Sequence, residues 1–589
     1  MLWHARWSRR LVVTAAIIVV LSAATTAAQQ SGEPLSREWR TLETPDFSVL
    51  AEGSERDVRE IAAKLEGFRT AVRQVFPAAK LDALVPTTLV VFDSDASFSP
   101  FKPLKSSWAA GYALLQGDAN YLVLARTRLS VVTSEIVFHE YMHYILQRTF
   151  TTMPHWYNEG VADFFSTFAG TVQDERPMIG RPNTYRLQLL RREGLLPVGD
   201  MLVNETSARW QRELTGRFYA TAWLMAHYFL MDPARRQGLL AMLTALNGGS
   251  TVDVAVQKGL GITADQLDQD LRNYVQRSSL PALGLSLESN ALGDVPVRPA
   301  TEAEVARVHA DLLVRLGAFD RADDLLKEAA GRFPDDDGLR TLTARLRTAQ
   351  ERPDEALALL AKAASPRTVA SLRAEADALM ERGRYDDAAE RLARAATAAS
   401  PFPAALYELG RAHMARAAWP EATSTFARLR GLDPRPGWDL NRAFDAYRLG
   451  YGVYVAGAAR AYIARAGWAD GASPYAAFAA FLALVRHQRG EQASVLLRDL
   501  AVAVSGDEWP VPVVRFFQNQ LPARDLISRA DSDRERTEAR AYVGLLASAE
   551  GRRDEALGHL QWVQAEGDRT MVEYRWAVAE LGRLTAVQP

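Results

Sequence analysis

A small residue heads a helix at four evenly spaced places in this chain, Ala322, Ala356, Ala388 and Ala422, separated by 34, 32 and 34 residues. Each lies in the same setting: GAFDRADDLLKEAAGRFP (317–334), ERPDEALALLAKAAS (351–365), GRYDDAAERLARAA (383–396) and AAWPEATSTFARLRGLDP (417–434). A unit of about 34 residues with two helical stretches cannot bury its apolar face alone. It must stack on copies of itself, so a solenoid with one continuous core is the expected outcome. The recurring alanines let the two helices of each unit approach closely. Weaker copies at GEQASVLL (490–497) and GRRDEALGHL (551–560) extend the pattern, so residues 302–589 are expected to be all-α.

The period and its Gly/aromatic/Ala/Pro spacing resemble the tetratricopeptide repeat, best over residues 305–434. The resemblance implies a surface that binds a protein partner. A chain of 589 residues exceeds one core, and the repeats begin only after residue 300, so a second domain is required.

Before the repeats, strand and helix signals mix. Residues 46–52 alternate like a strand, 54–76 have helical spacing ended by Pro77, and TTLVVF (87–92) reads as a buried strand. GYALLQ (111–116) and NYLVLAR (120–126) flank Gly117-Asp118, a hairpin turn signal. Helices are expected at 131–148, 155–168 and 218–229. Strands followed by helices indicate an α+β domain over residues 35–285. Residues 286–301, SLESNALGDVPVRPAT, are polar with two prolines and read as a linker. That boundary implies that residues up to about 290 fold alone.

The first 28 residues read as a secretory signal peptide, or as an anchor if uncleaved. Arg6, Arg9 and Arg10 precede an apolar run (11–27), and small residues end it near Ala28. The rest of the chain is then exported, periplasmic or extracellular, touching a membrane only through an uncleaved leader. A formal net charge of −2 gives no reason to expect nucleic acid, and the lack of cysteine removes thiol chemistry and disulfides.

Chemistry concentrates in VFHEYMHYILQ (137–147). On a helix His139 and His143 share a face one turn apart, where two imidazoles can hold one Zn²⁺ with Glu140 beside them. The surrounding residues are apolar, so these three groups need partners. WYNEGVADFF (156–165), on a helix opened after Pro154, supplies Glu159 as third ligand, sixteen residues after His143. Asp163, one turn further, shares its face and suits a hydrogen bond to a ligand imidazole. Gly160 removes a side chain where two helices meet. Two histidines and one glutamate with an open position form the catalytic rather than the structural zinc pattern, one ion per chain.

HEYMH followed by WYNEGVAD resembles the gluzincin metallopeptidases, within the zincin-like fold. MPHWYNEGVA (153–162) is similar to the PxWxxEGxA segment of their short exported bacterial branch. The resemblance covers roughly residues 39–285. It implies that His139, His143 and Glu159 bind zinc, that Glu140 is the general base, and that Gly111, Tyr112, Ala113 and Leu114 form the substrate-binding edge strand. It also implies a tyrosine near FYATAWLMAHYF (218–229) as oxyanion donor. Tyr219 is the candidate, ahead of His227, and His155 is expected at the rim. The gap between the second His and Glu is shorter than in the large families. The GxMEN motif that holds a free N-terminus is missing, so an endopeptidase is expected rather than an aminopeptidase. Two other readings stay open on sequence alone: a non-catalytic scaffold with a degenerate peptidase fold, and a zinc amidohydrolase acting on a non-protein amide.

Overall fold

The computed structural model describes residues 37–586 apart from 83, 104–110, 127–130, 151–152, 171–176, 203–214, 248–249, 287–291, 364–366, 398–401, 469, 505 and 570. The leader expected over residues 1–28 lies outside the described residues. Among those described, no helix is long and apolar enough to cross a membrane.

Strands β1 (Trp39–Glu43), β2 (Ser48–Glu52), β3 (Thr87–Phe92), β4 (Gly111–Leu115), β5 (Asn120–Ala125) and β8 (Val297–Pro299) form a six-stranded sheet in the order β4-β5-β3-β2-β1-β8. A short pair, β6 (Met178–Ile179) and β7 (Leu283–Gly284), stands apart. The central strands β2, β3 and β5 run parallel, with β4 and β1 antiparallel beside them. Helix α1 (Glu55–Val75) makes the crossover from β2 to β3. Ser54 and Asp57 form its capping box, satisfying backbone donors that the first turn leaves open.

Near-continuous apolar runs in TTLVVF and NYLVLA follow from burial on both faces. Leu89, Val91, Leu122 and Leu124 join a core with α1, α2 (Val131–Thr149) and α3 (His155–Ser166). Their neighbours Val90, Phe92, Val123 and Ala125 point the other way and join Val305, Ala306, Ala310 and Leu313 of the first repeat helix. The sheet is thus sandwiched between its own helices and the solenoid.

The repeat region is a succession of antiparallel helix pairs: Glu302–Leu316 with Phe319–Arg332, Asp337–Ala349 with Pro353–Leu360, Val369–Glu381 with Tyr385–Ala396, Pro403–Ala415 with Trp419–Leu432, Gly437–Arg448 with Gly452–Ala466, and Ser473–Arg486 with Gly490–Ala503. Two short helices, Val511–Phe517 and Ala523–Ser528, interrupt the series before Asp533–Ala549, Arg553–Glu566 and Val572–Thr585. Ala322, Ala356, Ala388 and Ala422 are all at most 2% exposed at the helix contacts. The period also appears in the backbone. Turns between paired helices carry left-handed residues at Gly317 (φ 72°), Glu351 (62°), Gly383 (70°) and Ala417 (58°).

The linker expected over 286–301 requires correction. Its end forms β8, which pairs with β1 through Leu42↔Val297, Thr41↔Arg298 and Arg40↔Pro299. Ala300 N–H donates to the Trp39 carbonyl at 2.9 Å, and Arg59 donates to the Val295 carbonyl at 3.0 Å. The physical reason is that β1 otherwise presents an unpaired edge. Prolines are compatible with such an edge strand, so local composition did not distinguish the two. The domain limits of 285 and 302 likewise cut through a shared core.

Candidate metal centre

Helices α2 and α3 lie side by side, and α5 (Thr215–Leu230) packs across α3 and against α4 (Thr184–Glu193). Gly160 permits that approach, since a Cβ there would run into the Ala222 carbonyl of α5. Pro154 precedes the first turn of α3 and starts it cleanly.

His139, His143 and Glu159 meet where these helices converge, with one ligand atom of each within 4.8 Å of the others. The two Nε2 atoms are 3.0 Å apart. Glu159 Oε2 stands 3.5 Å from the first and 3.6 Å from the second. All three residues are at most 8% exposed. The opposite ring nitrogens are already engaged. His139 Nδ1 lies 3.0 Å from Asp163 Oδ1, and His143 Nδ1 lies 3.0 Å from Asn158 Oδ1. Asp163 is itself held by Arg186 at 2.6 Å. Both imidazoles are thereby oriented with Nε2 toward a common point, as outer partners orient metal-binding histidines.

The residues fit a divalent ion. Among the described residues Glu159 Oε2 is buried without a hydrogen-bond partner, and an orphaned buried carboxylate oxygen is costly. Two nitrogens and one carboxylate oxygen are also the donor set of catalytic zinc. The electrostatics are those of a charged, closely coupled cluster. Burial works against charge on His139, but the neighbouring carboxylates of Asp163 and Glu159 outweigh it and raise its pKa to about 10. Burial pushes Glu159 up, yet the imidazoles of His143 and His139 beside it prevail and bring it down to about 2.

Glu140, half-buried on α2, has its carboxyl raised above the ordinary range by burial, against the pull of His143 and His139. Tyr219 on α5 is raised well above its usual value, first by burial and then by Glu159 and Asp163, with a smaller push from Glu140. Its hydroxyl therefore keeps its proton beside the carboxylate cluster, and Arg186 stands over its ring at 6.0 Å. His227 is placed elsewhere. It is fully buried, bonded to Tyr274 and to the Gly180 and Pro281 carbonyls, and burial lowers it to about 4. His155 sits at the rim, stacked on Phe218 with Nδ1 3.9 Å from Glu159.

Strand β4 is the terminal strand on its side of the sheet among the described residues. At Gly111 a Cβ would stand 3.5 Å from Val137 of α2 and 3.0 Å from the Val123 carbonyl. Tyr112 and Leu114 turn into the solenoid-side core, and Ala113 packs toward the helices. The outer backbone edge of β4 pairs with no other strand among the described residues.

Three contributors escape a reading by motif. Asn158 is inside WYNEGVAD, and the need of His143 Nδ1 for a partner was the signal that could have found it. Arg186 comes from the distant helix Thr184–Glu193, with no local cue. The solenoid also reaches this region. Arg435 lies over the ring of Tyr144 at 5.5 Å.

Residues 379–440 match the tetratricopeptide repeat family. No curated protein matches the chain. The repeat match supports a protein-binding role for the C-terminal region.

Proposed function

We propose that this chain is an exported zinc-dependent endopeptidase, a zincin-like domain whose His139, His143 and Glu159 hold one Zn²⁺. The observation that carries the reading is the convergence of three buried ligand atoms, with Glu159 Oε2 lacking a hydrogen-bond partner among the described residues. When bound, such an ion supplies Lewis-acid chemistry, polarising a carbonyl and making water nucleophilic near neutral pH.

The chain's own residues do the rest. Asp163 and Asn158 fix the two imidazoles. Glu140, whose raised pKa makes it a better base than an exposed glutamate, takes a proton from the attacking water and gives it to the departing amine nitrogen. Tyr219 keeps its hydroxyl proton and donates to the oxygen on which negative charge develops. The β4 edge pairs with an extended peptide by strand addition.

Glu140→Gln tests this reading, since it removes the proton acceptor without removing a metal ligand. Hydrolysis of a peptide library should fall by about 10²–10⁴-fold, with zinc stoichiometry and Tm unchanged. Equal, non-zero rates in the two proteins would refute the assignment. A wild type that holds zinc and cleaves no peptide would favour an amidohydrolase acting on another substrate, or a scaffold.

A further inference from the structure

The tip of the β4–β5 hairpin, Gly117-Asp118, is buried, although such tips ordinarily stand in water. Arg315, on the first helix of the first repeat pair, reaches Asp118 at 2.9 and 3.1 Å. Arg373, on the first helix of the third pair, reaches it at 3.1 Å. The Gly117 carbonyl accepts from Ala404 N–H at 3.0 Å. Trp438 closes over Gly117 so tightly that a Cβ there would collide with its ring. One two-residue tip is therefore touched by helices that begin at Glu302, Val369, Pro403 and Gly437. Only a surface that curves around the tip can do this.

The charges in the groove are mutually compensated. Arg315 also bonds Asp311 at 2.7 Å, Arg345 bonds the other Asp311 oxygen at 2.9 Å, and Arg373 forks onto Glu408 at 2.8 and 2.9 Å. Tyr121 of β5 donates to Asp311 at 2.8 Å. Asp118, Asp311 and Glu408 thus face Arg315, Arg345 and Arg373, an arrangement stable only while the set is complete.

We propose that the inner face of the repeats is a clamp for the chain's own β4–β5 hairpin, with Asp118, Arg315 and Arg373 as positioning residues that set the β4 edge beside the metal centre. The proposal rests on the reading of β4 as the substrate edge. Among the described residues strand β4 has one neighbour, β5, and a five-residue terminal strand held only there would fray. It is instead pinned at both ends, at Gly111 beneath Val137 two residues before His139, and at its far end by the docked tip. A protein segment entering this groove from outside would have to displace the hairpin.

The test uses the full chain and two variants of different chemistry. Asp118→Asn removes the clamped charge at nearly constant shape. Gly117→Ala wedges a methyl against Trp438 without touching an ion. In both, amides of residues 111–125 should exchange about tenfold faster or more, while zinc content and exchange in Val131–Thr149 stay at wild-type levels. Peptide hydrolysis should lose kcat/KM by about tenfold, mainly through KM, because an edge that pairs with substrate throughout acts on binding more than on the chemical step. Unchanged exchange and KM in both variants would overturn the clamp. So would a parallel loss of zinc and of Val131–Thr149 protection, which would mark a general folding role. If the wild type holds zinc but cleaves no peptide, the hydrolase reading falls, and the exchange result alone decides whether the hairpin is clamped.

Discussion

A chain cut at residue 290 should fail to fold, contrary to what its polar boundary suggests. Removal of the repeats strips β8 from β1 and uncovers the solenoid face of the sheet. Trp39, Leu50, Val90, Phe92 and Val123 are at most 4% exposed there. Full burial of such side chains stabilises by about 1.5–3 kcal/mol each, or about 7–15 kcal/mol for the set. If the repeats provide only half of that cover, the loss of about 4–7 kcal/mol is still comparable with the roughly 5–15 kcal/mol net stability of a whole domain. Asp118 and Tyr121 lose their buried partners at the same time. The measurement compares residues 29–290 with 29–589 by soluble yield, thermal melting by circular dichroism, and zinc content. The fragment should be insoluble or melt without cooperativity. Extending it to residue 336 restores β8 and the first helix pair, and should recover part of the yield. A soluble 29–290 fragment with a cooperative melt and one bound zinc would refute the shared-core argument.

Asn158→Ala should weaken zinc binding about 10–100-fold in a competitive chelator titration, because it frees His143 to rotate. His309 is fully buried among Trp39, Phe92 and Phe101, neither ring nitrogen has a hydrogen-bond partner among the described residues, and burial lowers its pKa from 6.5 to about 3. Below pH 6.5 the unfolded chain takes a proton that the folded one refuses, so stability should fall between pH 6.5 and 3, by on the order of 5 kcal/mol in total. In urea titrations across that range, His309→Leu should remove this part of the slope, and an unchanged slope would show that His309 is not its source. Ala417→Gly should raise stability by up to about 1 kcal/mol, since a left-handed alanine costs about 1–2 kcal/mol that glycine avoids, less the entropy that glycine loses on folding. A lower Tm for that variant would show the turn is not strained.

Much of the architecture was legible in the sequence because its signals are local. A 34-residue period must produce stacked helix pairs whatever surrounds it, and its alanines are buried where helix contact requires small side chains. Spacings of four residues in HEYMH and in Glu159 to Asp163 place groups on one helix face through backbone geometry alone. The Gly-Asp signal at 117–118 likewise marked a real turn. The remainder depends on residues brought together from far apart in the chain. Local composition cannot show that Val297–Pro299 completes a sheet begun at Trp39, since pairing is set by the unfilled edge of a distant strand. Nor can it show that Arg186 backs Asp163, or that Arg315 and Arg373 close on Asp118, because a buried charge finds its counter-charge only once the solenoid has curved around the hairpin. The sequence by itself determined which helices form and which side chains gather at the candidate metal centre. Only the tertiary structure decided that the repeats cover one face of the sheet and grip its hairpin, because those contacts join surfaces whose partners lie as far apart along the chain as Gly117 and Trp438.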